Sequence, residues 1–130
     1  MKLKKLFGLI ALLISGELLG QLGEELFEAN CSICHSHDKV MTGPPITYIS
    51  DYKGFDWFYE FLKSPYSFWK ADEDDYTSQM LEYYYPIYAL HPPSKLKHTE
   101  LKLIWDYIIE IEQTVEKHQQ TDSLRQSWKK

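Results

Sequence analysis

Two cysteines in a chain of 130 residues are too few to staple a fold. They stand at positions 31 and 34, and a bridge between them would close too small a loop to constrain the unfolded chain much. No segment alternates polar and apolar residues in the manner of a half-buried strand, which removes the case for a sheet. No charge-free apolar run reaches the roughly 20 residues that a bilayer crossing needs. The run from Leu6 to Ile14 is too short, and Glu17 blocks its extension. Positive charge is also scarce. Leaving out residues 1–20 takes Lys+Arg from 14 to 11 and Asp+Glu from 19 to 18, for a net charge of −7. A surface of that sign excludes nucleic acid as a partner, because the phosphate backbone rewards lysine and arginine.

What is present begins with an address. Lys2, Lys4 and Lys5 precede the short apolar run, and Ser15, Gly16 and Gly20 follow it, which is the layout of a secretory signal peptide. The expectation is a signal segment over residues 1–20, cleaved after Gly20, and export to the periplasm. Its alternative is an uncleaved membrane anchor. The remainder divides into one domain over 21–117 and a polar tail over 118–130, expected to be disordered.

Within the domain the periodicity is helical. Leu22, Leu26 and Phe27 share a face of a helix over Gly23–Asn30, with Glu24 and Glu25 in its first turn, where the helix dipole favours anions. Residues 31–54 contain Gly43-Pro44-Pro45 and read as a loop. A second helix is predicted over Phe55–Leu62, ending before Ser64-Pro65. A third is predicted over Asp74–Tyr85, ending before Pro86. Pro92-Pro93 forces an extended segment next to His91. The clearest pattern runs from Thr99 to about Lys117, where Leu101, Ile104, Trp105, Ile108, Ile111 and Val115 recur at three- and four-residue steps, interrupted by Glu112. The fold class is all-α. Short helices joined by long loops bury little by themselves, so a large apolar cofactor at the centre would complete the core.

The chemistry is concentrated in "NCSICHSHD", residues 30–38. Cys31, Cys34 and His35 form Cys-x-x-Cys-His, the attachment signature of c-type haem. One tight turn then presents two sulfurs to one porphyrin edge and an imidazole to the iron. Two other chemistries use such residues. A redox dithiol needs Cys-x-x-Cys beside a βαβ pattern, which is absent. A zinc site could count Cys31, Cys34, His35 and His37 as ligands, but adjacent Cys34 and His35 would strain one tetrahedron and no second pair of ligands exists. Covalent haem is the expected cofactor, one per chain.

On these residues the chain resembles the class I single-haem cytochromes c, from Leu22 to about Ile111. Gly23, Phe27 and Cys31 stand at four-residue steps, the family's pattern for its first helix. The resemblance implies that Gly23 lets the last helix cross closely and that Phe27 packs beside it. Tyr107, in "LIWDYI", matches the family's aromatic on that last helix. Gly43-Pro44 matches the turn whose carbonyl accepts the free ring N–H of the proximal histidine, a contact that fixes tautomer and ring orientation. The implied architecture is three to five short helices wrapped around one attached haem, with Cys31 and Cys34 as attachment residues, His35 as proximal ligand and Pro44 supporting it.

One departure from the family bears on mechanism. Where the resemblance leads one to expect a methionine before the last helix, the chain reads "HPPSKL", beginning at His91. The literal reading is His35/His91 axial ligation, and because methionine ligation is what raises potential, this pairing implies a more reducing couple. Met80 is the alternative distal ligand, although a methionine at helical spacing is commonly core filler. Met41 and His37 lie too few residues from His35 to reach the opposite face. His37 reads as a polar surface residue and His98 as a solvated one at a helix start. The aromatic residues of the middle of the chain read as walls of a haem crevice. The acidic run Asp72–Asp75 reads as a solvated loop or as a docking patch for a basic redox partner. The function implied is that of a one-electron carrier rather than an enzyme, monomeric, passing electrons between redox partner proteins. A haem enzyme or gas sensor with a labile distal ligand, and an accessory subunit of a respiratory complex, stand as alternatives.

Overall fold

The computed structural model describes residues 19–47, 49–65, 67–68, 78 and 92–127, with side chains as far as Lys117. The expected helix over Asp74–Tyr85 lies outside them except for Ser78, which is helical, as do Met80, His91 and the acidic run Asp72–Asp75. Of the proposed signal segment only residues 19 and 20 are described.

Three α-helices stand out among the described residues: α1 over 19–30, α2 over Phe55–Lys63 and α3 over His98–Ser127. A single 3-10 turn, Ile49–Asp51, lies between the first two. There is no strand among the described residues, and none of their helices is long and apolar enough to cross a membrane.

Each helix follows from its sequence. In α1, Gly23, Leu26 and Phe27 turn inward at three- and four-residue spacing, while Leu22 stays 42% exposed. Its end is closed by side chains, Asn30 Nδ2 donating to Leu26 O at 2.7 Å and Ser32 Oγ to Glu28 O at 2.8 Å. Those bonds satisfy carbonyls that a helix end leaves without partners. α2 carries Asp56 in its first turn and Lys63 in its last, matching the helix dipole at both ends. Its buried residues are Phe58 and Phe61. α3 opens with Glu100 reaching back to accept from the Lys97 N–H at 2.7 Å, one half of a capping box.

α3 runs ten residues past the Lys117 end that hydrophobic periodicity predicts. The expected disordered tail is therefore helical as far as Ser127. Residues 118–127 contain neither glycine nor proline and are mostly compatible with helix, so propagation continues although the apolar stripe has stopped.

The core sits where α1 and α2 meet α3. Phe27, Phe58, Leu101, Ile104, Trp105, Tyr107 and Ile108 form it, and Ile104 is completely buried. Burying side chains of this size contributes about 1.5–3 kcal/mol each. The α1–α3 crossing depends on Gly23. A Cβ there would lie 2.5 Å from Leu103 O and 2.9 Å from Tyr107 Cβ, so any side chain would push the helices apart. On the other side of α3, Phe58 meets Trp105 with ring centroids 5.3 Å apart. Glu112, the one polar interruption of the stripe, is 5% exposed. Its carboxylate accepts the hydroxyl proton of Ser50 and the Ser50 N–H at 3.4 Å. The interruption thus ties the 3-10 turn to α3 and leaves no buried polar atom unpaired there.

Candidate haem site

The motif begins as the last turn of α1 unwinds. Cys31 N–H donates to Phe27 O at 2.7 Å, then Cys34 N–H and His35 N–H both donate to Cys31 O, at 3.1 and 3.0 Å. This tight turn sets the two cysteines and His35 on one short arc, all half-buried and with both thiols free. The loop that follows folds back on the motif through backbone bonds. Gly43 N–H donates to Cys34 O at 2.8 Å, Ile46 N–H to Ser36 O at 3.1 Å and Thr47 N–H to His37 O at 3.2 Å. The Thr47 hydroxyl donates to the same His37 carbonyl.

The loop holds the His35 ring from two directions. Its Nδ1 lies 2.8 Å from Pro44 O. A carbonyl oxygen only accepts, so this pairing puts the proton on Nδ1 and leaves the lone pair of the neutral ring on Nε2. Gly43 lies flat against the ring, and a Cβ on it would sit 2.4 Å from His35 Cε1 and 2.8 Å from Nε2. No other residue type fits that contact without moving the imidazole.

These features can be tested against each candidate group. Burial pushes the Cys31 thiol up to about 11, with Cys34 adding to the effect. A redox dithiol depends on a lowered thiol value, so Cys31 has the wrong shift for that chemistry. Among the described residues no three His, Cys, Asp or Glu side chains gather into a group that could hold a bare metal ion, which counts against zinc. A free imidazole lone pair beside two neighbouring thiols is the donor set that attached haem requires. The residues fit haem.

His37 is not the surface residue that its sequence context indicated. Its ring stacks on Phe27 with centroids 5.3 Å apart and meets Tyr107 edge-on at 5.7 Å. Tyr107 Oη lies 3.3 Å from His37 Nε2. Phe27 and Tyr107 themselves meet at 5.7 Å, so the α1–α3 crossing is finished by three rings. Burial, together with Glu24, Glu28 and Glu110, pushes the Tyr107 phenol up to about 12 and keeps it neutral. His98 is exposed, yet it lies edge-on against Phe55 at 5.1 Å and Tyr59 at 4.9 Å. Both contacts join residues far apart in sequence or on different helices, and no local pattern reports them. Met41 is 49% exposed, and its N–H donates to Gly43 O within the loop. An open cleft of about 430 Å³ between α1 and α3, lined by Gly20, Glu24, Glu110 and Val115 among others, contains neither cysteine and not His35.

Three solved structures share this fold. A cytochrome c from Rhodothermus marinus superposes with a TM-score of 0.63 and 19% identity, over 75% of this chain and 80% of that one. An engineered form of it, Rma TDE, gives 0.61 and 19%. The same engineered protein bound to a carbene intermediate gives 0.59 and 20%, and both cover the same shares of the two chains. The fold is that of a cytochrome c. No family model matches the sequence, and no curated protein matches it. At this identity the cytochrome c fold is shared while most side chains differ, so what the site does rests on the residues described above.

Proposed function

We propose that this chain is a periplasmic, single-haem c-type cytochrome that carries one electron at a time between redox partner proteins. The observation that carries this reading is the His35 ring, held through Nδ1 at 2.8 Å from Pro44 O, with Nε2 left to donate to iron. Cys31 and Cys34 would attach the haem, each thiol adding across a vinyl group so that its S–H bond and the vinyl π bond break while a carbon–sulfur and a carbon–hydrogen bond form. When bound, the iron supplies a one-electron ferric/ferrous couple.

The residues around it have defined tasks. Pro44 O fixes the His35 tautomer and Gly43 admits the ring. Phe27 and Tyr107, at the α1–α3 crossing, belong to the core against which Cys31 packs. His91 is proposed as the distal ligand, with Met80 as the alternative. Two imidazoles favour ferric iron more than an imidazole and a thioether do, so His91 makes the carrier the more reducing of the two possibilities. With both ligands retained in both oxidation states, no catalytic residue is required.

The test is the absorption spectrum of the ferric holoprotein beside that of His91→Ala. A low-spin wild type without the long-wavelength methionine-to-iron band, turning high-spin on mutation, supports His91. Persistence of that band in the mutant assigns Met80. Rapid cyanide or carbon monoxide binding by the wild type favours the enzyme or sensor alternative, and inertness favours the carrier. Retention of residues 1–20 with a stable co-purifying complex would make the protein an accessory subunit instead.

A further inference from the structure

The loop that holds the His35 ring is itself tied to the helices. Between Cys34 and Thr47 the chain doubles back on itself. Cys34 O accepts from the Gly43 N–H, Ser36 O from Ile46 and His37 O from Thr47. Pro44 O, which faces His35 Nδ1 at 2.8 Å, lies between the first and second of these bonds along the returning arm. The third is doubled, because His37 O also accepts the hydroxyl of buried Thr47. Side chains then carry the loop to the core. Ile46 packs against it, and the His37 ring enters the α1–α3 crossing. There the ring is stacked on Phe27 at 5.3 Å and edge-on to Tyr107 at 5.7 Å, with Tyr107 Oη 3.3 Å from its Nε2. An apolar contact such as that of Ile46 is non-directional. A ring stack with a polar partner fixes orientation as well as place.

We infer that His37 is a positioning residue for the haem ligand His35. Its ring anchors the end of the loop, and its carbonyl passes that anchor through Thr47 to the arm that carries Pro44. The inference rests on reading His35 as the proximal ligand. Pro45 stands between Thr47 and Pro44, and proline locks φ near −65° while holding the residue before it extended. A displacement at Thr47 therefore reaches the Pro44 carbonyl with little lost on the way. With the anchor in place, that carbonyl stays on the Nδ1 proton and keeps the imidazole a strong donor through Nε2. With the anchor gone, the bond is open for a larger fraction of the time. The ring is then a weaker donor and favours ferric iron less. His37 would tune the couple without touching the iron.

The exchange rate of the His35 Nδ1 proton with solvent reports the open fraction of the Pro44 bond, and NMR of the ferrous holoprotein reads it. His37→Ala should exchange about tenfold faster than wild type, the size of one lost ring pair with its polar contact. Its ferric/ferrous equilibrium should move towards ferrous by about threefold, which is about 28 mV at 59 mV per tenfold. His37→Phe keeps the stack and should return the exchange rate to within about threefold of wild type. Tyr107→Phe removes the other half of the polar contact and should match it, and the double variant should go no further. Phe58→Leu, a core lesion on α2, should leave the rate at its wild-type value, which separates positioning from a general loss of stability. If His37→Ala fails to hold haem, Tyr107→Phe carries the test, with about a threefold rise expected and an unchanged rate counting against the role. An unchanged rate in His37→Ala, or an equal rise in Phe58→Leu, overturns the role of His37 and leaves His35 as ligand. If His35→Ala keeps covalent haem and the wild-type spectrum, the ligand reading falls and the role of His37 falls with it.

Discussion

The loop after the attachment turn and the segment before α3 are held by different kinds of contact. On the attachment side, the chain from Cys31 to Thr47 is closed by its own backbone. Gly43, Ile46 and Thr47 donate to carbonyls of Cys34, Ser36 and His37, and Pro44 O pairs with the His35 ring. Residues 92–97, by contrast, depend on contacts to α2, about 30 positions earlier in the chain, two of them from the Lys63 ammonium. A loop closed by short-range backbone bonds has a small closure cost and can form before the rest of the domain. A segment docked through the Lys63 ammonium and the Ser94 N–H has the geometry it needs only once α2 and α3 have packed. The attachment side is expected to be rigid and intolerant of substitution, and the 92–97 segment to be adjustable.

The largest test of that contrast is Gly43→Ala. The added Cβ would lie within 2.8 Å of three atoms of the His35 ring, so ring and carbonyl cannot both keep their places. A loss of about 3 kcal/mol in denaturant unfolding is expected, with a falling yield of covalently attached haem. Normal stability and haem content would show the loop to be as compliant as the 92–97 segment.

Next in size is the Cys31 thiol in chain made without attached haem. Raised from 9.0 to about 11, it has roughly a hundredfold less thiolate at pH 8 than an ordinary thiol, and its alkylation should slow to match. The folded value lies above the unfolded one, so the folded state keeps this proton longer. The stabilising effect is complete below pH 9 and is lost as pH rises towards 11. Thioether attachment removes the thiol and should abolish this alkaline loss. Alkylation at the ordinary rate would mean that the turn does not form without the cofactor.

Gly23→Ala probes the crossing beneath the attachment turn. A methyl group 2.5 Å from Leu103 O must separate α1 from α3, at a cost of about 2 kcal/mol by thermal or chemical unfolding. Glu112→Ala is the smallest of the four. It leaves the Ser50 hydroxyl and N–H without their acceptor, and about 1–2 kcal/mol should be lost. Glu112→Gln, which keeps an acceptor oxygen, should recover part of that. Full stability in Glu112→Ala would mean that water replaces the carboxylate and that the 3-10 turn does not rely on α3.

How far the sequence could be read followed the same division. α2 was predicted over Phe55–Leu62 and is found over Phe55–Lys63, because its aromatic spacing and the Ser64-Pro65 stop are local signals. The Gly23, Phe27 and Tyr107 crossing was implied by the resemblance to the class I cytochromes c, and the fold shared with the cytochrome c structures is the one that resemblance implied. Cys31, Cys34, His35 and Pro44 lie close enough in sequence for turns to bring them together. His37 was misjudged because its partners, Phe27 and Tyr107, stand on two different helices. The length of α3 was underestimated because hydrophobic periodicity reports burial, and its last ten residues continue as helix without that signal.

The sequence by itself determined the all-helical class, the span of α2 to within one residue, and the Cys-x-x-Cys-His turn with its glycine-proline support. Each of these is decided by dihedral preference, periodicity or hydrogen bonding over a few residues. The tertiary structure decided that Glu112 serves Ser50, that His37 completes an aromatic trio and that Lys63 holds the backbone at Ser94 and Leu96. Those contacts span roughly 30 to 70 positions. Their energies exist only after the helices have packed, and no local pattern of residues encodes which distant group a long polar side chain will meet.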